Sequence, residues 1–126
     1  MEEKMPNNSL KLLIAEDDES SALFLSTIAG NIFKEILFAI NGKQAVETCI
    51  KDHSINMILM DIKMPEMDGI EATRLIRTFN NQVVIIAQTA FNFPEFKENA
   101  FKAGCNDYLS KPVKKSELVS IIKKYL

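Results

Sequence analysis

The chain has 126 residues, 47% apolar and 25% charged, with 15 basic against 17 acidic side chains; that length fits one domain with no room for an appended DNA- or ATP-binding module. A net charge of −2 leaves no basic footprint for nucleic acid, and no apolar run reaches the ~20 residues that span a bilayer. The polar, acidic start MEEKMPNNSLK is unlike an export leader, so the expectation is a cytoplasmic domain making no membrane contact.

After a loose tail over residues 1–9, the run 12–15 reads as a first strand and ends in Glu16-Asp17-Asp18. Phe24 and Ile28 lie four apart, as on a helix face, and Gly30-Asn31 suits that helix's end. A second strand is predicted over 36–40, and Asn41-Gly42 reads as a turn. The stripe Ala45, Val46, Cys49, Ile50 marks a second helix. The run MILM at 57–60 is a third strand ending in Asp61, followed by the stripe Ala72, Leu75, Ile76, Phe79. Residues 83–87 form a fourth strand that leads to Thr89. Pro94 opens a fourth helix carrying Phe96, Ala100 and Ala103, with Gly104 as its C′ residue. A weak fifth strand at 108–109 stops before Lys111-Pro112. The last helix carries Leu118, Ile121, Ile122 and Tyr125, with Lys123 and Lys124 in its final turn, where the helix dipole favours cations. Cys49 and Cys105 lack a CxxC partner and read as reduced, buried small hydrophobes.

Five strands alternating with five helices predict an α/β fold, a doubly wound parallel sheet covered on both faces. On such a sheet the polar residues are informative. Two acids, a third acid, a hydroxyl and an ammonium (Glu16 and Asp17, Asp61, Thr89, Lys111) each fall at the carboxyl end of a different strand, the edge where open parallel sheets bind ligands. Three carboxylates brought together repel, so one of them should have a raised pKa in the absence of a cation. Hard oxygen ligands suit magnesium. A carboxylate beside that ion can attack phosphorus to form an acyl phosphate, and the charge on the transferring oxygens must be neutralised by ion, ammonium and hydroxyl. Each residue alone has a blander reading, as helix cap, turn or surface lysine; four matching strand ends weaken it. His53, in a polar loop, is assigned no role, and the methionines read as packing.

The segments LLIAEDDES, INGKQAVE, MILMDIKMPEMDGIEATRLIR, VVIIAQTAF and AGCNDYLSKPV together resemble a receiver domain of bacterial two-component signalling, over residues 10–126. Their wording is most similar to receivers carried by hybrid sensor histidine kinases, so the chain is expected to be such a portion or a free-standing regulator. The resemblance implies strand order 2-1-3-4-5, a flavodoxin-like arrangement. It implies Asp61 as phosphoacceptor, and magnesium held by Glu16, Asp17, Asp61 and the backbone carbonyl of Lys63. It also implies Thr89 and Lys111 as the catalytic pair, Thr89 and Tyr108 as the switch, and a cis Lys111–Pro112 bond. Glu16 stands where Asp is commoner in the family, which lengthens one arm of the metal site. The regulated surface is expected on the helix 4/strand 5 face near Phe91, Phe93, Phe96, Phe101 and Tyr108. The implied partner is a histidine kinase or a histidine phosphotransfer protein, and the implied state is a monomer or weak dimer. Such a domain is not a turnover enzyme but catalyses its own phosphorylation and dephosphorylation.

Two other functions compete. A binding module that keeps the fold without being phosphorylated is disfavoured by the complete set Glu16, Asp17, Asp61, Thr89, Lys111. A hydrolase with an aspartyl-phosphate intermediate needs a positioned acid or base near Asp61, such as a second Asp two residues on, and position 63 is Lys.

Overall fold

A computed structural model describes residues 9–90 and 94–126. The tail expected over 1–9 lies outside the described residues except for Ser9, and so do Phe91 and Phe93. The elements alternate along the chain as β1 (Lys11–Ala15), α1 (Glu19–Ala29), β2 (Glu35–Ala39), α2 (Gly42–Lys51), β3 (Met57–Asp61), α3 (Gly69–Ile76), β4 (Val84–Thr89), α4 (Pro94–Ala103), β5 (Asp107–Ser110) and α5 (Lys115–Tyr125). All four strand pairings are parallel, in the order β2-β1-β3-β4-β5.

The apolar runs become inner strands because both faces of the sheet are covered. Leu12, Ile14, Met57, Leu59 and Ile86 point to one face, where α1 and α5 add Leu25, Ile28, Leu118 and Ile122. Leu13, Ile58, Met60, Ile85 and Ala87 point to the other, where α2, α3 and α4 add Ala45, Cys49, Ala72, Ile76 and Ala100. Truncating any of the large members to Ala costs about 2–5 kcal/mol. Strand β2 lies at the sheet edge with only Ala39 fully buried.

Several local expectations shift. In α1 the buried stripe is Leu25, Ile28 and Ala29, and Phe24 is 45% exposed. That helix is apolar around much of its circumference, so spacing alone does not select its inner face. Strand β2 ends at Ala39, leaving Ile40 exposed beyond it, while Ile50, Phe79 and Phe96 sit at the exposed margins of their stripes. Asn41 is not a turn residue but the N-cap of α2, its Oδ1 accepting from the Gln44 N–H at 2.8 Å, the service short polar side chains render at helix starts. Gly104 follows α4 with φ +121°, as its predicted C′ role requires. The Lys111–Pro112 peptide is cis, and both cysteines are free and buried.

Candidate functional site

Strand β1 pairs with β2 on one side and β3 on the other, so the crevice where strand order reverses opens above the carboxyl ends of β1 and β3. Glu16 and Asp17 directly follow β1, and Asp61 is the last residue of β3. One oxygen from each lies within 4.8 Å of one from each of the others. Lys111 arrives from the end of β5. Its Nζ donates to Glu16 Oε1 at 3.1 Å and to Asp61 Oδ2 at 2.9 Å, and its backbone N–H donates to the Thr89 carbonyl at 2.9 Å.

The remaining oxygens of the two buried acids are met by backbone. Asp61 Oδ1 accepts from the Lys63 N–H at 3.2 Å, and Glu16 Oε2 from the Asp18 N–H at 3.1 Å. Both acids are nearly inaccessible, with side chains 1% exposed for Glu16 and 5% for Asp61. Asp17 is exposed. Burial holds the Glu16 carboxyl above its ordinary range against the Asp18 hydrogen bond, and the charge of Asp61 adds to the rise. This is the direction expected of crowded carboxylates. Burial alone would lower Lys111, but its hydrogen bonds and charge attraction to Asp61 and Glu16 outweigh that and raise it.

The donor set fits a hard divalent cation. Three carboxylates within mutual reach, one of them open to water, match an ion that takes one or two protein carboxylates and keeps several waters. Asp18 is not part of this set. It is the N-cap of α1, its Oδ2 accepting from the Ser21 N–H at 2.8 Å and from the Ser21 hydroxyl at 2.7 Å.

Two glycines let the β3–α3 loop pack closely, Gly69 against the end of β3 and Gly42 against the start of α2. A Cβ on Gly69 would run into the Asp61 carbonyl oxygen and stand 2.9 Å from Met60 Cγ, and one on Gly42 would run into the Met67 carbonyl oxygen. The Gly69 N–H donates to the Ile62 carbonyl and the Gly42 N–H to that of Met67, both at 2.9 Å. Between them Glu66 takes φ +66°, a conformation a non-glycine residue adopts only when its surroundings impose it. The MPEMDG segment is thus a tightly built loop beside Asp61.

Thr89, the last residue of β4, is buried. Tyr108 on β5 is half-buried against the core. The Phe101 ring meets it edge-on with centroids 6.5 Å apart, and Lys97 Nζ stands 4.5 Å from its centroid. The structure therefore gathers Glu16, Asp17, Asp61 and Lys111 into one contact group. Lys63 touches it through its backbone, and Thr89 and Tyr108 line the neighbouring strands. Sequence reasoning passed over Gln88. It is 1% exposed, stands in register opposite Asp61, and its Nε2 has no hydrogen-bond partner among the described residues. Its only signal was a polar residue interrupting the run VVIIA before Thr89.

The family model for the response regulator receiver domain matches residues 12–123. Hybrid signal transduction histidine kinase B of Dictyostelium discoideum is 38% identical over 92% of this chain, which corresponds to 7% of that protein. The autoinducer 2 sensor kinase/phosphatase LuxQ of Vibrio vulnificus is 36% identical over 92% of the chain and 14% of its own length. The chain thus spans only a small part of these curated relatives. Among solved structures, the receiver domain of Ssk1 from Saccharomyces cerevisiae, in a co-crystal with the histidine phosphotransfer protein Ypd1, is 31% identical with a TM-score of 0.86, covering 94% of this chain and 89% of that one. A family-model match along nearly the whole chain, together with a solved receiver of the same fold, leads to one conclusion: the chain belongs to the response regulator receiver family of two-component signalling.

Proposed function

We propose that this domain takes a phosphoryl group from a histidine onto Asp61 and that the modification resets the α4–β5 face. The observation that carries this reading is Lys111 Nζ at 2.9 Å from Asp61 and 3.1 Å from Glu16, a fixed ammonium beside a buried carboxylate. Glu16, Asp17, Asp61 and the carbonyl of Lys63 are the groups that would hold magnesium, and a bound ion supplies positive charge to the phosphoryl oxygens. Asp61 is oriented for attack by the Lys63 N–H on one oxygen and Lys111 on the other. Lys111 follows the charge onto the phosphoryl group, and the Thr89 hydroxyl donates to another of its oxygens.

Phosphorylation replaces the single charge of the Asp61 carboxylate with the close to two negative charges of a phosphoryl group. When Thr89 turns inward to meet them it opens space that the Tyr108 ring fills, so hydroxyl and ring form one two-state element. Likeness to hybrid kinase relatives and to a receiver solved with a histidine phosphotransfer protein supports a donor of that kind. The domain itself works in the cytoplasm as a monomer or weak dimer. Acetyl phosphate with magnesium is expected to add one phosphoryl mass to the chain. Asp17→Ala is expected to abolish that gain while the amide NMR spectrum stays folded. A folded Asp17→Ala variant that gains the mass at the wild-type rate would refute the assignment.

A further inference from the structure

Along α4 the residues withdrawn from solvent are Lys97, Ala100 and Ala103, the stripe turned toward the rest of the domain. Two of the three are small and apolar, as an inner stripe should be; the third is a lysine. The acid next to it, Glu98, pairs with Lys102 at 3.9 Å. Lys97 Nζ stands instead over the Tyr108 ring on β5, 4.5 Å from its centroid. One turn further along α4, Phe101 meets the same ring at an interplanar angle of 87°. The ring is thus met on its face by a cation and edge-on by a second aromatic, both supplied by α4.

We infer that Lys97 is a cationic latch on Tyr108, holding the ring in its resting position and so setting how readily the unphosphorylated domain activates; the inference rests on Thr89 and Tyr108 being the two-state element. A contact shifts an equilibrium only by the difference it makes between the two states. Here that difference is geometric. A cation is attracted to the face of an aromatic ring within about 6 Å of the centroid. A ring that rotates into the space behind Thr89 carries its face away from Lys97 Nζ, while the ammonium stays on α4. The attraction therefore weighs on the resting side alone. At a partly exposed site such a contact corresponds to about a two- to fivefold change in the equilibrium constant.

Beryllofluoride with magnesium mimics an aspartyl phosphate, and titrating it against the full chain tests the latch. The Tyr108 ring is followed by NMR with labelled tyrosine; the chain has two tyrosines, and Tyr125→Phe assigns the second signal. Where only a minor fraction of a protein is competent to bind, apparent affinity scales with that fraction. Lys97→Gln, which keeps a good helix former without the charge, is expected to lower the beryllofluoride concentration at half-conversion by about two- to fivefold. Lys97→Arg, whose guanidinium also stacks on a ring, is expected to keep the wild-type value. Loss of a positive charge by itself weakens capture of an anion, so bulk electrostatics predicts the opposite sign. An unchanged or raised midpoint for Lys97→Gln would overturn the latch. Equal falls for Lys97→Gln and Lys97→Arg would overturn it too, since the charge would then not be what holds the ring. A wild-type chain that binds beryllofluoride, seen as a bound fluorine signal, without moving the Tyr108 ring would instead overturn the switch reading beneath it.

Discussion

Replacing Lys111 by Met removes an ammonium that bridges two buried carboxylates at 3.1 and 2.9 Å. A hydrogen bond to a charged group contributes about 1.5–3 kcal/mol, and breaking a buried ion pair costs about 3–5 kcal/mol. The Lys111 side chain is 27% exposed, so water screens part of the attraction. The expected loss at neutral pH is about 2–4 kcal/mol, a large share of a typical domain's stability. The pH dependence has a definite sign. Burial holds the Glu16 carboxyl above its ordinary range, with Asp61 repulsion adding to the rise. The folded state therefore binds more protons than the unfolded one between the ordinary carboxylate range and the raised value, and stability falls as pH climbs through that window. Without Lys111 the rise is larger, so the deficit of Lys111→Met shrinks on acidification as Glu16 takes up its proton. Urea unfolding followed by circular dichroism, with EDTA present, measures both quantities. A deficit below about 0.5 kcal/mol, the level of an ordinary surface substitution, or one that grows on acidification, would refute the buried-bridge argument.

Further outcomes follow from single contacts. Gly69→Ala drives a Cβ into the Asp61 carbonyl; it is expected to cost about 1–3 kcal/mol in urea unfolding and, by displacing Asp61, to slow phosphorylation by acetyl phosphate ~100-fold, whereas wild-type kinetics would contradict the packing. Asp52 is held down at about 2 by Lys11, whose Nζ stands 2.7 Å away, and by Ser54, against about 3.9 when unfolded. Its stabilising contribution is present above pH ~4 and is lost as pH falls toward 2, so Asp52→Asn should flatten the acid limb of stability, and an unaltered limb would refute the pairing. Burial pushes the Cys49 thiol up to about 11 and raises that of Cys105, so modification by an aromatic disulfide reagent at neutral pH should track global unfolding, and fast labelling of the native chain would contradict it.

The inner strands were legible because a sheet covered on both faces demands continuous apolar runs, and 57–60 and 83–87 supply them without a competing period. The inner face of α1 was not, since Leu23, Phe24, Leu25 and Ile28 offer several helical stripes and tertiary packing selects Leu25, Ile28 and Ala29. Asn41-Gly42 carries the same letters whether it closes a turn or caps a helix, and the Gln44 N–H decides for the cap. At the site, the strand-end positions of Glu16, Asp17, Asp61, Thr89 and Lys111 could be read because the sheet fixes where strands end. What could not be read are contacts set by side-chain reach: Lys111 spanning both acids, Asp18 turning away to cap α1, and Gly69 bracing Asp61. Gln88 was hidden because a single polar letter before a strand end gives no hint that its amide is buried in register with Asp61 of β3.

The central claim is that one carboxylate, that of Asp61, becomes an acyl phosphate. Borohydride reduces an acyl phosphate to the alcohol, converting a phosphorylated aspartate to homoserine at its own position, which peptide mass spectrometry then reads. After incubation with phosphoramidate and magnesium, then borohydride, the account predicts homoserine at position 61 and no conversion at positions 16, 17 or 18. Conversion at any of those acids with position 61 intact, or a phosphorylated chain with no homoserine at all, would contradict it.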